Sequence, residues 1–191
     1  MSNQNSMPPS MPDGAIGASS RDMRFQHIAA ELGHSFEGEM RIGGNYASAV
    51  RHGDTVYVSG QIPRVDDVVV VTGRVGAETS LEQARVAARI CIMRALTILR
   101  QTLGSLDRVS HILRISVYVQ SAADFTAQSE VADSASAVLH GIFGDAGVHT
   151  RTSVGVFQLP KNAAVEIDMI AVASDTTSPG TANLPTPGAA R

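Results

Sequence analysis

The chain has 191 residues, a formal charge of −3 from 15 Lys+Arg against 18 Asp+Glu, and only 4% aromatic residues with no Trp. That length suits one well-buried domain and is short for two. The acidic balance and the scarcity of stacking side chains argue against a nucleic-acid partner. The single cysteine, Cys91, excludes an internal disulfide and a multi-cysteine zinc site.

Residues 1–22 are rich in Ser, Pro, Gly and Asn and read as a flexible N-terminal extension; residues 175–191 have the same character. The segment MSNQNSMPPSMPDG has neither a basic nor an apolar stretch, and no run in the chain reaches bilayer-spanning length. A cytoplasmic protein without membrane association is the expectation. The first ordered element is a short helix over residues 23–33, ended by Gly33.

Residues 46–51 and 55–61 read as a β-hairpin around His52-Gly53-Asp54. Pro63 and Asp66-Asp67 then break the chain before a short strand over residues 68–72. Gly73-Arg74-Val75-Gly76 lacks the Lys-Ser/Thr ending of a phosphate loop and reads as a turn. Ser80 is placed to cap a helix running to Leu103, with Glu82 and Gln83 in its first turn and Gly104 after its end. Leu81, Ala84, Ala88, Cys91, Ala95, Ile98 and Leu99 recur at three- and four-residue steps, which predicts an apolar stripe with Arg85, Arg89, Arg94 and Arg100 off it. On that stripe Cys91 reads as a buried, inert thiol.

Residues 109–120 (VSHILRISVYVQ) form the strongest predicted strand, and a second long helix is expected over residues 124–143. The last ordered stretch, RTSVGVFQLPKNAAVEIDMIAV, reads as two strands joined by a turn at Leu159-Pro160-Lys161-Asn162. Arg151 enters the first and Glu166 lies on the second, so a hairpin would bring them near one another. An arginine offers a planar fork matched to a carboxylate and stays charged at any working pH. The pair therefore suggests a site for a small carboxylate.

Two long helices beside a mainly antiparallel sheet predict a two-layer α+β fold with the helices on one face. The opposite face would then carry Val56, Val58, Ile115, Val117 and Val154, an apolar surface that predicts burial against other subunits. The six histidines show no HxH, HxxxH or HExxH spacing, so nothing supports a metal site. His149 reads as a loop histidine.

Gly44-Asn45-Tyr46, the run Val56-Tyr57-Val58-Ser59-Gly60-Gln61-Ile62-Pro63, and Arg151-Thr152-Ser153-Val154-Gly155-Val156 with Leu159-Pro160 and Val165-Glu166-Ile167-Asp168 resemble the Rid (YjgF/YER-type, reactive intermediate deaminase) family. The likeness spans roughly residues 23–173, within the 23–174 expected to form the domain, and points to the family's longer "endoribonuclease-like" subgroup. It implies a chorismate-mutase-like fold and a homotrimer with clefts between subunits. It also implies hydrolysis of reactive 2-imino (enamine) acids to 2-keto acids and ammonia, without metal or organic cofactor. The ligand-binding arginine of the family falls on Arg151, its acidic residue on Glu166, its strand-end backbone on Gly60 and its cleft tyrosine on Tyr46.

Two positions depart from the family pattern. Ser153 stands where a cysteine is common, and Asp133 stands where an asparagine on the second helix is common. An ionised Asp133 would oppose a carboxylate ligand. Read without the family, Arg151 could be an exposed strand-end arginine and Glu166 a partner for an arginine across a subunit boundary. Tyr46 could be wall packing. The alternatives to a deaminase are a non-catalytic keto-acid-binding protein and, last, an endoribonuclease.

Overall fold

The computed structural model describes residues 20–38, 40 and 44–174. The expected C-terminal extension and most of the N-terminal one lie outside the described residues. The first helix, α1 (Arg21–Leu32), begins two residues before the expected start because Ser20 accepts a hydrogen bond from the Met23 N–H. Gly33 ends it in the left-handed conformation, φ 68°. Arg21 also stacks on Phe143 and its backbone N–H donates to Asp107, while Ser105 donates to Asp22 at 2.6 Å. Residues 20–22 thus belong to the folded domain.

Among the described residues seven strands follow: β1 (Ala49–His52), β2 (Thr55–Gln61), β3 (Arg64–Val65), β4 (Val68–Val69), β5 (Val109–Gln120), β6 (Thr150–Val156) and β7 (Val165–Ala173). The main sheet runs β1-β2-β7-β5-β6, with every pair antiparallel except β5 and β6. β3 and β4 form a separate ribbon turning at Asp66, which shortens the strand expected over residues 68–72. Helix α2 (Leu81–Leu103) lies between β4 and β5, and α3 (Gln128–Phe143) connects β5 to β6. These helices cover one face of the sheet, and α1 packs against α3 on that side. Among the described residues no helix is long and apolar enough to cross a membrane.

The capping box at α2 is complete: Ser80 accepts from the Gln83 N–H and the Gln83 side chain accepts from the Ser80 N–H. The helix is more buried than an amphipathic stripe requires. Every residue from Ile90 to Leu99 is inaccessible or nearly so, Arg94 and Thr97 included. The reason is the extended chain after α1, whose Phe36 is buried and whose carbonyl accepts from Thr97. Arg94, expected off the apolar stripe, is therefore interior. Cys91 is fully buried, its thiol donating to the Val165 carbonyl, and burial pushes its pKa well above the ordinary thiol value. α3 starts four residues later than expected, because residues 122–125 form a turn closed by the Phe125 N–H on the Ala122 carbonyl.

The two last strands are not a hairpin. β5 lies between them, parallel to β6 and antiparallel to β7. The chain crosses the end of β5 through residues 157–164, where Lys161 and Asn162 both adopt φ 57°. Gln120, the last residue of β5 and 1% exposed, pins this crossing. Its side-chain oxygen accepts from the Leu159 N–H at 2.8 Å and its amide nitrogen donates to Asn162 at 2.6 Å.

Alternation along the strands corrects the expected composition of the open face. Val56, Val58, Ile115 and Val117 are buried beneath the helices, with Val165, Ile167, Met169 and Ala171 of β7. A shift of one residue exchanges the two faces of a strand, and these four lie on the helix-covered face instead of the open one. Of the five, Val154 alone is on the open face. Its neighbours there are Tyr57, Tyr118, Ile170 and Val172 among Ser116, Thr152, Glu166 and Asp168.

Candidate functional site

Arg151 lies on β6, an edge strand, opposite the buried Ile115 in register, so its side chain reaches toward α3. One terminal nitrogen, Nη1, donates to Asp133 at 2.8 Å and to the Ser136 hydroxyl at 3.0 Å. The other, Nη2, approaches the Ser129 carbonyl at 3.5 Å, and Nε has no acceptor among the described residues. Asp133 is 67% exposed, so the ion pair is worth about 0–1 kcal/mol and leaves the Nε edge available to a ligand carboxylate. Ser153 follows two residues later on the same face of β6.

The arrangement continues to His149. Its Nδ1 lies 2.6 Å from the Gly147 carbonyl and its Nε2 3.0 Å from the Ser136 hydroxyl. A carbonyl can only accept, so Nδ1 carries the proton and Nε2 accepts from Ser136. Arg151 to Ser136 to His149 to Gly147 is thus one directed chain of hydrogen bonds. Burial lowers the His149 pKa, the Gly147 carbonyl acts against this, and His140 and Arg151 lower it further. The ring is neutral at pH 7, as the chain requires. His149 lies in the loop before β6, as expected, and there its ring supports the arginine through Ser136. Strand alternation puts it on Arg151's face, and the three-residue step from Asp133 puts Ser136 on one face of α3.

Glu166 occupies a different place. It pairs with Tyr118 of β5, which pairs with Val154 of β6, and it points to the open face. Arg151 and Glu166 are separated by β5, by three residues along β6, and by the thickness of the sheet. They do not meet within one chain.

Around Glu166 the local structure is specialised. The β2–β7 register slips by one residue between Val58 and Gln61, a bulge that brings Gly60 beneath the carboxylate. A Cβ on Gly60 would lie 2.1 Å from Glu166 Oε1, so only glycine admits the side chain there. The buried Gln61 amide donates to the Ser59 and Gly60 carbonyls at 3.0 and 3.1 Å and holds the bulge. Burial, and then the neighbouring Asp168, raise the Glu166 pKa. Asp168 accepts from the Tyr118 hydroxyl at 3.2 Å, while Glu166 has no hydrogen-bond or ion-pair partner among the described residues. It is a half-buried carboxylate poised to take a proton.

Tyr46 belongs to this end of the sheet. The Ser59 hydroxyl donates to the Ala47 carbonyl at 2.8 Å and the Ser59 N–H to the Ser48 carbonyl at 2.9 Å, laying residues 46–48 beside the bulge. Tyr46 is 49% exposed there. The six expected site residues therefore divide into two groups: Arg151, Ser153 and Asp133 at the β6–α3 edge, and Glu166, Gly60 and Tyr46 at the β2–β7 end.

Residues 38–173 match the family described as Endoribonuclease L-PSP. Protein TCP17 of Trypanosoma cruzi is 41% identical over 127 residues, covering 66% of this chain and 79% of that protein. A 2-iminobutanoate/2-iminopropanoate deaminase of Dermatophagoides farinae is 30% identical over 130 residues, covering 68% and 86% respectively. The crystal structure of the Agrobacterium tumefaciens protein Atu1372, of unknown function, superposes with a TM-score of 0.73 at 30% identity, covering 81% of this chain and 95% of that one.

Proposed function

The chain belongs to the Endoribonuclease L-PSP (Rid) family, and from that premise we propose that it hydrolyses reactive 2-imino and enamine acids to 2-keto acids and ammonia, in clefts between identical subunits. The observation that carries this reading is the division of the site. Arg151 stands on a sheet edge with Nε unused among the described residues, and Glu166, without a partner among the described residues, stands on the open face of the same sheet. Neither half is sufficient alone, and an assembly that brings the edge of one subunit to the face of the next completes both. A trimer does so with one kind of interface, each subunit lending Arg151 to one cleft and Glu166 to another.

The chemistry asks little of the protein. Arg151 anchors the substrate carboxylate through Nε and Nη2, fixing the imine carbon near Glu166 of the neighbouring subunit. Glu166 accepts one proton from a water molecule as the water oxygen bonds to the carbon of the protonated imine, giving a carbinolamine with a neutral amine. The protonated Glu166 then returns that proton to nitrogen. Glu166 takes up the hydroxyl proton as the C=O bond forms and the C–N bond breaks, releasing ammonia and the keto acid. The raised pKa of Glu166, caused by burial and then by Asp168, suits a group that must accept a proton and return it.

A second reading, non-catalytic binding of a keto acid at Arg151, is supported by Asp133, which occupies one edge of the guanidinium and would weaken affinity to that suited to a sensor. The RNA-cleaving activity in the family's description finds one feature, the His140 and His149 rings 5.7 Å apart. His149 has both ring nitrogens bonded within the protein, so it is not free to serve as acid or base. The deciding experiment measures ammonia release from enzymatically generated 2-aminoacrylate. Wild type should accelerate it over buffer and Arg151→Ala should not. Stabilisation by 2-ketobutyrate without any acceleration would favour the sensor.

A further inference from the structure

We propose that Arg64 and Arg94 form a second ligand site, distinct from Arg151, that binds a small dianion of the phosphate class. Both arginines are interior, 9% and 5% exposed, and both line a cavity of about 220 Å³ between α2, the β3–β4 ribbon and the chain after α1. Arg94 donates through Nη1 to the Arg64 carbonyl at 3.0 Å. The Nε atoms of both are buried without a hydrogen-bond partner, and neither guanidinium has an ion-pair partner among the described residues.

Two like charges buried side by side are costly unless something balances them. Burial and the proximity of Arg64 lower the Arg94 pKa, in keeping with that strain. The carboxylates at the cavity do not supply the balance. Glu37 is held by Arg100 at 3.0 and 3.1 Å and by Gln26 at 2.6 Å, and Asp66 lies on the exposed turn of the ribbon. Paired guanidiniums offering unused N–H groups match a tetrahedral dianion, which can accept from both at once. A cavity of about 220 Å³ suits a single phosphate group rather than a longer polyanion.

The test uses the full chain and inorganic phosphate as the probe. Phosphate, against chloride at equal ionic strength and pH, should raise the melting temperature by roughly 5 °C at saturation, and equilibrium dialysis should find one phosphate per chain. Arg64→Gln, which removes no protein hydrogen bond of that guanidinium, should abolish both effects while melting in chloride no lower than wild type, because the repulsion is relieved. Arg94→Gln should likewise lose phosphate binding, and Arg151→Ala should keep it. The proposal is overturned if wild type binds no phosphate, or if binding survives Arg64→Gln. It is equally overturned if binding disappears in Arg151→Ala alone, which would place the anion at the first site.

Discussion

Gly60 carries no functional group, yet the Glu166 carboxylate depends on it. A methyl group at Gly60 would overlap Oε1 but not a rigid part of the protein, since the atoms it meets are the far end of a flexible side chain. Gly60→Ala should therefore fold with a Tm close to wild type and lose at least about tenfold in kcat/KM, roughly 1.4 kcal/mol of transition-state stabilisation; circular dichroism melting and ammonia release check the two halves. Glu166 also leaves a signature in stability. Its folded pKa is raised, so the folded state holds the proton more tightly, and stability falls as pH rises from the ordinary carboxylate range through the raised value. Glu166→Gln should consequently be more stable than wild type at pH 7, with the difference vanishing in acid, as read by urea denaturation. His149 has the opposite sign. Its folded pKa is lowered, so its contribution is complete above the usual histidine range and is lost as pH falls through the lowered value. Relative to His149→Gln, wild type should lose stability between pH 7 and pH 5.

At the scale of elements, the crossing from β6 to β7 and the β6–α3 edge govern where the site residues go. Gln120 satisfies the backbone N–H of Leu159 in the interior, so Gln120→Ala leaves a buried donor without a partner. A loss of about 1–3 kcal/mol in unfolding free energy is expected, measured by denaturant titration. The strands themselves were legible: alternation and the bounding turns placed β2 and β5 correctly, and the capping box fixed the start of α2. Their pairing was not. Leu159-Pro160-Lys161-Asn162 resembles a hairpin turn, and only the side chain of Gln120, distant in sequence, reveals that a third strand lies between. For the same reason the link from Arg151 through Ser136 to His149 was not legible, since the Ser136–His149 contact joins a helix to the loop before β6 across 13 residues.

At the scale of the whole molecule, family and fold class could be read from separated sequence blocks because those blocks are backbone requirements: a bulge glycine, a strand end, a cap. The arrangement of the candidate site could not, because Arg151 and Glu166 lie on opposite faces of one sheet and the face expected to be open differs by one residue from the face that is. The corrected open face is less apolar, so the inference of an oligomer now rests on the divided site more than on exposed valines. The most direct test is complementation between two inactive chains. Arg151→Ala and Glu166→Gln, each inactive alone, should recover about a quarter of wild-type ammonia release when unfolded together and refolded at equal amounts, since random assortment gives about one interface in four a complete pair. Mixed oligomers that form but remain as inactive as their parents would contradict a cleft shared between subunits.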